Sequence, residues 1–414
     1  MQVSARRVAF DVLRRVFEDG AYADRAFRAA ADSAGLDHRD RAFAMQLAYG
    51  SVQRKRTLDH AISTLGKRPA RKLDPPVLAS LRLGAYQIGF LHGVPPHAAA
   101  NESVELVRAA GLERAVPFTN AVMRRLAEGF PALLESLGDA TPAEAALKHS
   151  YPDWIADLFW REHGRETALA LMEAMNEPPP TVVRVTARGR DLPGERDPEL
   201  PAALTVDQVP QEWLAEGLVW PQSRGSQLAG LAVSAQPGER ILDLCAAPGG
   251  KATLLAEVAA EVVAVEKHEG RARELSEHAA RLGLTNITVV HADALELPAH
   301  LTGFDRVLVD APCSGTGVLA SRPDLRWRGD PLPDLQRSLL AAAAERVRPG
   351  GSVTYAVCAL NAAENEDVVD AAGLAPDDLG ADWPAFRHPR RPEFLLTLPH
   401  VHRTSGFFIA RMRA

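Results

Sequence analysis

Residues 240–259 read RILDLCAAPGGKATLLAEVA. Ile241, Leu242 and Leu244 make an apolar strand, Ala-Pro-Gly-Gly makes a turn, and Lys251 to Ala259 is built from good helix formers. The same alternation continues downstream. VVAVEK (262–267) is a second strand, GRARELSEHAARLG (270–283) a helix, and ITVVHAD (287–293), FDRVLVDAP (304–312) and GSVTYAVCAL (351–360) are three further strands. Apolar strands alternating with helices predict an α/β parallel sheet covered on both faces, with ligands gathered beyond the carboxyl ends of its strands. Asp243, Glu266, Asp293, Asp310 and Cys358 all fall at or just past those ends.

The turn at DLCAAPGGK lacks the G-x-G-x-x-G pattern of dinucleotide folds, and no phosphate-cradling P-loop is present. Its glycines still let a ligand approach the backbone, and the following helix N-terminus favours an anionic group. Glu266 stands 23 residues after Asp243, near the offset of about 20 at which a carboxylate caps a ribose diol. An adenosine ligand with an amino-acid carboxylate and no pyrophosphate fits, and S-adenosylmethionine is the common one.

Composition sets the limits within which those features are read. At 414 residues, 46% hydrophobic and 24% charged, the chain is expected to fold as two or three domains. No apolar run approaches the ~18 residues of a membrane span, and MQVSARRVAFDVLRR (1–15) does not build a signal-peptide core. A cytoplasmic protein without membrane association is therefore expected. Three cysteines with no CxxC pair argue against a disulfide framework and against a metal site, which leaves thiols. Two of them, Cys313 in VLVDAPCSGTG (307–317) and Cys358, close successive strands of the sheet.

The net charge of −6 divides unevenly, with +7 on residues 1–130 and −13 on the remainder. Arg54, Lys55, Arg56, Lys67, Arg68, Arg71 and Lys72 stand together against Asp59. A basic module joined to an acidic one points to a polyanion partner, and nucleic acid is the obvious candidate. Helical stripes such as Val8, Val12 and Val16 recur up to about residue 130. Between 140 and 215 come the helical PDWIADLFWREHG, prolines 178–180 and the strand TVVRV. The expected division is 1–138 helical, 139–215 connecting, and 216–414 sheet-based.

LDLCAAPGGKATLLAE, VDAPCSGTGVL followed by RPDLRWR, and VTYAVCALNAAENEDVV resemble, in this order, the motifs of ribosomal RNA cytosine-5 methyltransferases of the RsmB or Sun (Fmu) type. LRLGAYQIGFLHGVPPHAAANESVELVR with FTNAVMRRL is similar to the NusB-type RNA-binding helical domain that precedes the catalytic domain in that group, and SGFFIARM resembles its closing strand. The resemblance implies a Rossmann-like, S-adenosylmethionine-dependent methyltransferase domain after an all-α NusB-like domain, acting as a monomer on an unpaired or loop cytosine of small-subunit (16S) ribosomal RNA. It further implies that Cys245, Ala246, Ala247, Pro248, Gly249, Gly250 and Lys251 form the cofactor loop, that Glu266 holds the cofactor ribose and Asp293 the adenine, and that Asp310 lies between cofactor and target base. Cys358 would be the nucleophile and Cys313 would assist product release, with the Cys245 thiol turned to the core.

That chemistry accounts for the thiol pair. Carbon 5 of cytosine is a poor nucleophile until a thiolate adds to carbon 6, and the added thiol must afterwards be expelled. For RNA contact the candidates are Arg54, Lys55 and Arg56, together with Arg322, Arg326 and Arg328 around Trp327, which could equally be a core anchor. The chain departs from the family pattern at Val357 and Ala359, where Thr and Ser usually flank the nucleophile, and at Ser405 and Thr186. Two other readings share part of the pattern: a DNA cytosine-5 methyltransferase using the Cys of Pro312-Cys313, and a non-catalytic RNA-binding assembly factor that keeps the fold.

Overall fold

The computed structural model describes residues 4–414, so the first three residues of the expected helical domain lie outside the described residues. The chain packs as two compact units. One runs up to Asn176 and includes Ser321–Arg328; the other holds Glu177–Ala320 and Gly329–Ala414.

The first unit is helical: α1 (Ala5–Glu18), α2 (Ala23–Ala34), α3 (His38–Gln53), α4 (Lys55–Gly66), α5 (Pro75–Phe90), α6 (Pro96–Ala109), α7 (Val116–Glu135), α8 (Pro142–His149) and α9 (Asp153–Ala174). Side-chain caps start three of them, Ser4 on α1, Asp37 on α3 and Thr141 on α8, where Glu144 completes a capping box. The predicted stripe of Val8, Val12 and Val16 is buried, in one core with Leu13, Leu81 and Phe130. The expected short helix after Pro152 extends to Ala174, with a kink at Gly164, whose φ of 77° lies outside the helical region.

In the second unit β1 (Val182–Val185), β2 (Ala203–Thr205) and β3 (Val219–Pro221) form a small antiparallel sheet, with α10 (Gln211–Ala215) between β2 and β3. Residues 139–215 thus divide between the units, α8 and α9 in the first and β1 to α10 in the second.

The main sheet contains β4 (Arg240–Asp243), β5 (Glu261–Glu266), β6 (Ile287–His291), β7 (Phe304–Asp310), β8 (Val347–Val357), β9 (Ala375–Pro376), β10 (Leu395–Thr397) and β11 (Phe407–Arg413). Its order is β10-β11-β8-β7-β4-β5-β6, with β9 pairing β11. The helices of this unit include α11 (Arg224–Leu231), α12 (Gly250–Ala256), α13 (Glu269–Arg281), α14 (Pro333–Ala344) and α15 (Glu366–Ala372). The five strands from β8 to β6 are parallel, as expected, whereas β11 runs antiparallel to β8 and makes the sheet mixed. The chain leaves β4 toward β5 and β6 and returns on the other side of β4 as β7. The crevice where strand order reverses therefore opens beyond Asp243 and Asp310, the last residues of β4 and β7.

Candidate active site

At the switch point the carboxylates are deeply set. Asp243 is fully buried; its Oδ1 accepts from the Cys245 N–H at 3.4 Å and its Oδ2 has no hydrogen-bond partner. Burial, followed by the nearby Asp310 charge, pushes its pKa up to about 7. Lys251, in the first turn of α12, donates to Asp310 Oδ2 at 2.7 Å and to Ser226 Oγ at 3.2 Å, with its ammonium 5.0 Å from the centre of the Phe407 ring. No local sequence pattern gives Ser226 or Phe407 a site role, because their approach to Lys251 depends on how α11 and β11 pack.

Glu266 ends β5 almost fully buried, accepting from the His268 N–H at 2.9 Å, with Arg271 3.7 Å away. Asp293, just past β6, accepts from the Leu295 N–H and pairs with Lys267 at 2.7 Å, which holds its carboxyl below the usual range. The loop from Cys245 to Lys251 is shaped by its glycines. Gly249 caps α12 at φ 106°, and a Cβ on Gly250 would come within 3.0 Å of the Trp220 indole nitrogen. Burial and the Asp243 charge raise the Cys245 thiol, which favours its protonated form.

The two strand-end cysteines come together. Because β7 and β8 are parallel neighbours, their carboxyl ends release the chain side by side. The loop after β7 then runs against the end of β8 and the residue beyond it, through Ala311 N–H to Ala356 O at 3.0 Å and Gly317 N–H to Cys358 O at 2.9 Å. Gly317 also lies so close to Gly406 that a Cβ there would come within 2.2 Å of the Gly406 carbonyl oxygen. Both thiols are free, with Cys313 Sγ 3.3 Å from Cys358 Sγ. The bond to Cys358, burial, and the charges of Cys358 and Glu364 raise the Cys313 thiol well above its usual range. Val357 and Ala359 are fully buried, and the Leu360 N–H is satisfied by Thr316 Oγ1 at 2.8 Å instead. Thr186 donates to the Gly217 carbonyl in the small-sheet region, and the Ser405 carbonyl accepts from Thr397.

Of the side chains expected to contact RNA, Arg326 is withdrawn from that role by burial. Arg326 is 0% exposed inside the helical unit, donating to Met175 O and Asn176 Oδ1, both at 2.8 Å, and to Ser150 O at 3.2 Å, with its guanidinium 3.9 Å from the centre of the Tyr151 ring. A side chain so enclosed cannot reach a phosphate. Trp327 is a core anchor, packed on the helical core with its Nε1 donating to Val52 O at 2.8 Å. Arg322 and Arg328 are partly exposed, near Asp24 and Tyr22 respectively.

In the first basic cluster, Arg56 pairs with Asp153 at 2.7 Å and Arg54 lies over Phe90. Lys55 lies over Trp327, and burial lowers its pKa. These three cations are largely committed to the helical unit. Lys67, Arg68, Arg71 and Lys72 form the exposed part of the run.

Residues 231–413 match the family described as 16S rRNA methyltransferase RsmB/F, and residues 3–128 match the NusB family. The chain is 33% identical to the probable ribosomal RNA small subunit methyltransferase B of Synechocystis sp., over 99% of both chains. It is 37% identical to the ribosomal RNA small subunit methyltransferase B of Thermus thermophilus, over 90% of this chain and 85% of that one. Among solved structures, PH0851 superposes with a TM-score of 0.83 at 21% identity, covering 99% of this chain and 98% of that chain, which shows the shared fold.

Proposed function

Because the chain belongs to the RsmB family of small-subunit ribosomal RNA methyltransferases, we propose that it methylates carbon 5 of an unpaired cytosine in 16S ribosomal RNA through a covalent Cys358 adduct, with S-adenosylmethionine as methyl donor. The observation that carries this reading is the pair of strand-end thiols 3.3 Å apart. In this reading residues 1–138 bind RNA, residues 216–414 carry the chemistry, and 139–215 connect them.

The donor set suits the cofactor. Four carboxylates, Asp243 among them with a buried unpartnered oxygen, outnumber the three cations Lys251, Lys267 and Arg271 and favour a ligand carrying positive charge and hydroxyls. The 245–251 loop and Glu266 would hold its amino-acid and ribose parts, and Asp293 its adenine. When bound, S-adenosylmethionine supplies an electrophilic methyl group.

The chain's own residues make the base receptive. Cys358 loses its proton to solvent, and the thiolate bonds to carbon 6 as the C5–C6 π bond opens, placing an electron pair at carbon 5. Asp310, steadied by Lys251, binds the ring nitrogen and the exocyclic amine as charge shifts in the ring. After methylation the carbon 5 proton leaves to solvent, the double bond re-forms and the sulfur–carbon bond breaks. Cys313, kept protonated beside Cys358, donates its proton to the departing sulfur and regains one from solvent.

Single cysteine variants test the reading. Cys358→Ala should lose both methyl transfer and any denaturant-resistant RNA–protein complex. Cys313→Ala should still add Cys358 and accept methyl, then stall as a cofactor-dependent complex on a denaturing gel, and the double variant should show none. The reverse pattern would make Cys313 the nucleophile, as in DNA-type enzymes. Near-normal turnover in both single variants would leave the thiols structural, and no calorimetric binding of S-adenosylmethionine would favour a non-catalytic assembly factor.

A further inference from the structure

Glu364, six residues past Cys358, is 0% exposed, yet five neutral donors converge on its carboxylate. Oε1 accepts from the backbone N–H groups of Ser314 at 2.9 Å and Leu332 at 3.0 Å and from Gln336 Nε2 at 2.9 Å. Oε2 accepts from Ser314 Oγ and from Asn361 Nδ2 at 2.7 Å. Gln336 Nε2 also donates to Pro312 O at 2.9 Å. Cys313 is therefore gripped on both sides, at Ser314 by Glu364 and at Pro312 through Gln336. The same carboxylate clasps the turn after Cys358, because Asn361 Oδ1 in return accepts from the Glu364 N–H at 2.9 Å, while Tyr355 OH, three residues before Cys358, donates to Glu364 O at 2.7 Å. One buried carboxylate thus joins the two loops that carry the sulfurs.

We propose that Glu364 is a positioning residue that sets the Cys313 sulfur against the Cys358 sulfur, so that product release depends on it while RNA binding and cofactor binding do not. The assignment rests on the covalent reading above. Glu364→Gln is the informative change. Its amide can accept through one oxygen only, and its NH2 would face donors. Ser314 Oγ can turn to accept, but Asn361 cannot flip without abandoning the Glu364 N–H.

Glu364→Gln should keep the Kd for RNA and for cofactor, read by direct binding, within about twofold of wild type, while steady-state kcat falls about tenfold or more, the scale of a lost hydrogen bond to a charged group, and KM falls with it. It should also accumulate the cofactor-dependent RNA–protein complex even with Cys313 intact. Sulfur placement is read separately by diamide, which takes two electrons and two protons from the thiols, joining Cys313 to Cys358 and becoming a hydrazine. Mass spectrometry follows the loss of two hydrogens, and the rate should change several-fold or more in the variant. Should Glu364→Gln not fold, as judged by circular dichroism, Ser314→Ala and Asn361→Ala each remove one donor and should show the same two effects more weakly. Wild-type turnover with no complex overturns the proposal, and so does slow turnover with no complex and an unchanged diamide rate. If the Cys313→Ala control forms no complex, the covalent reading fails by itself, and the diamide rate then decides for or against Glu364.

Discussion

Asp243 is the residue where folding works against ionisation. Its folded pKa of about 7 lies above the unfolded carboxyl value of about 3.9. Between those values the native state binds more protons than the unfolded chain, so this group costs stability progressively as pH rises from about 4 to about 7, and the cost is then constant. Asp243→Asn removes the dependence. In the cofactor-free protein the variant's melting temperature should gain on wild type across that window, by the equivalent of a few kcal/mol at most, at about 1.4 kcal/mol per pH unit. A constant difference from pH 4 to 8 would mean the carboxyl ionises normally. A cationic ligand favours the charged form, so wild-type affinity for S-adenosylmethionine should rise toward pH 7 and the variant's should not.

At the scale of elements, the short run from Ser321 to Arg328 shows how a chemical reading of residue types can mislead. Arg and Trp side by side suggest phosphate and base contact, yet Pro323–Trp327 forms a 3₁₀ turn whose Arg326 and Trp327 complete the helical unit. Arg326 donates to carbonyls at the ends of α3 and α9, Gln53 O and Met175 O, the second of which also accepts from Gln53 Nε2 at 2.8 Å. Arg326→Ala removes these buried donations, together with those to Ser150 O and Asn176 Oδ1, and leaves a cavity, at a cost of about 3 kcal/mol or more. Urea unfolding should report that loss. Unchanged stability with weakened RNA binding would return Arg326 to the RNA surface.

For the molecule as a whole, the +7 charge of residues 1–130 is a long-range property, but only cations that face solvent can displace counterions from RNA. Neutralising Lys67, Arg71 and Lys72 together should lower the salt dependence of RNA affinity by up to about 2 in log–log slope, at about 0.7 per phosphate contact on single strands. Neutralising Arg54, Lys55 and Arg56 should chiefly lower stability, since Arg56 holds Asp153 and Lys55 covers Trp327. Filter binding from low to high salt distinguishes the two sets, and equal slope changes would sink the distinction. Among the described residues no helix is long and apolar enough to cross a membrane.

The strand-turn-helix succession, the acids at the ends of four strands and the helical stripes were legible in the sequence because they are local. A period of two or 3.6 or a glycine turn acts within a few residues of itself. Motif order likewise carried the family resemblance without any contact being known. What tertiary structure alone decided depends on partners far apart in the chain. Pairing of β11 with β8 makes the sheet mixed, Arg326 is withdrawn from solvent by groups up to 273 residues away, and Glu364 closes on Ser314 across 50 residues. The two sulfurs, 45 residues apart in the chain, meet at 3.3 Å because β7 and β8 are parallel neighbours. Periodicity tells a strand which face to bury; it carries no information about which strand will lie beside it, and that adjacency is what brings one thiol to the other.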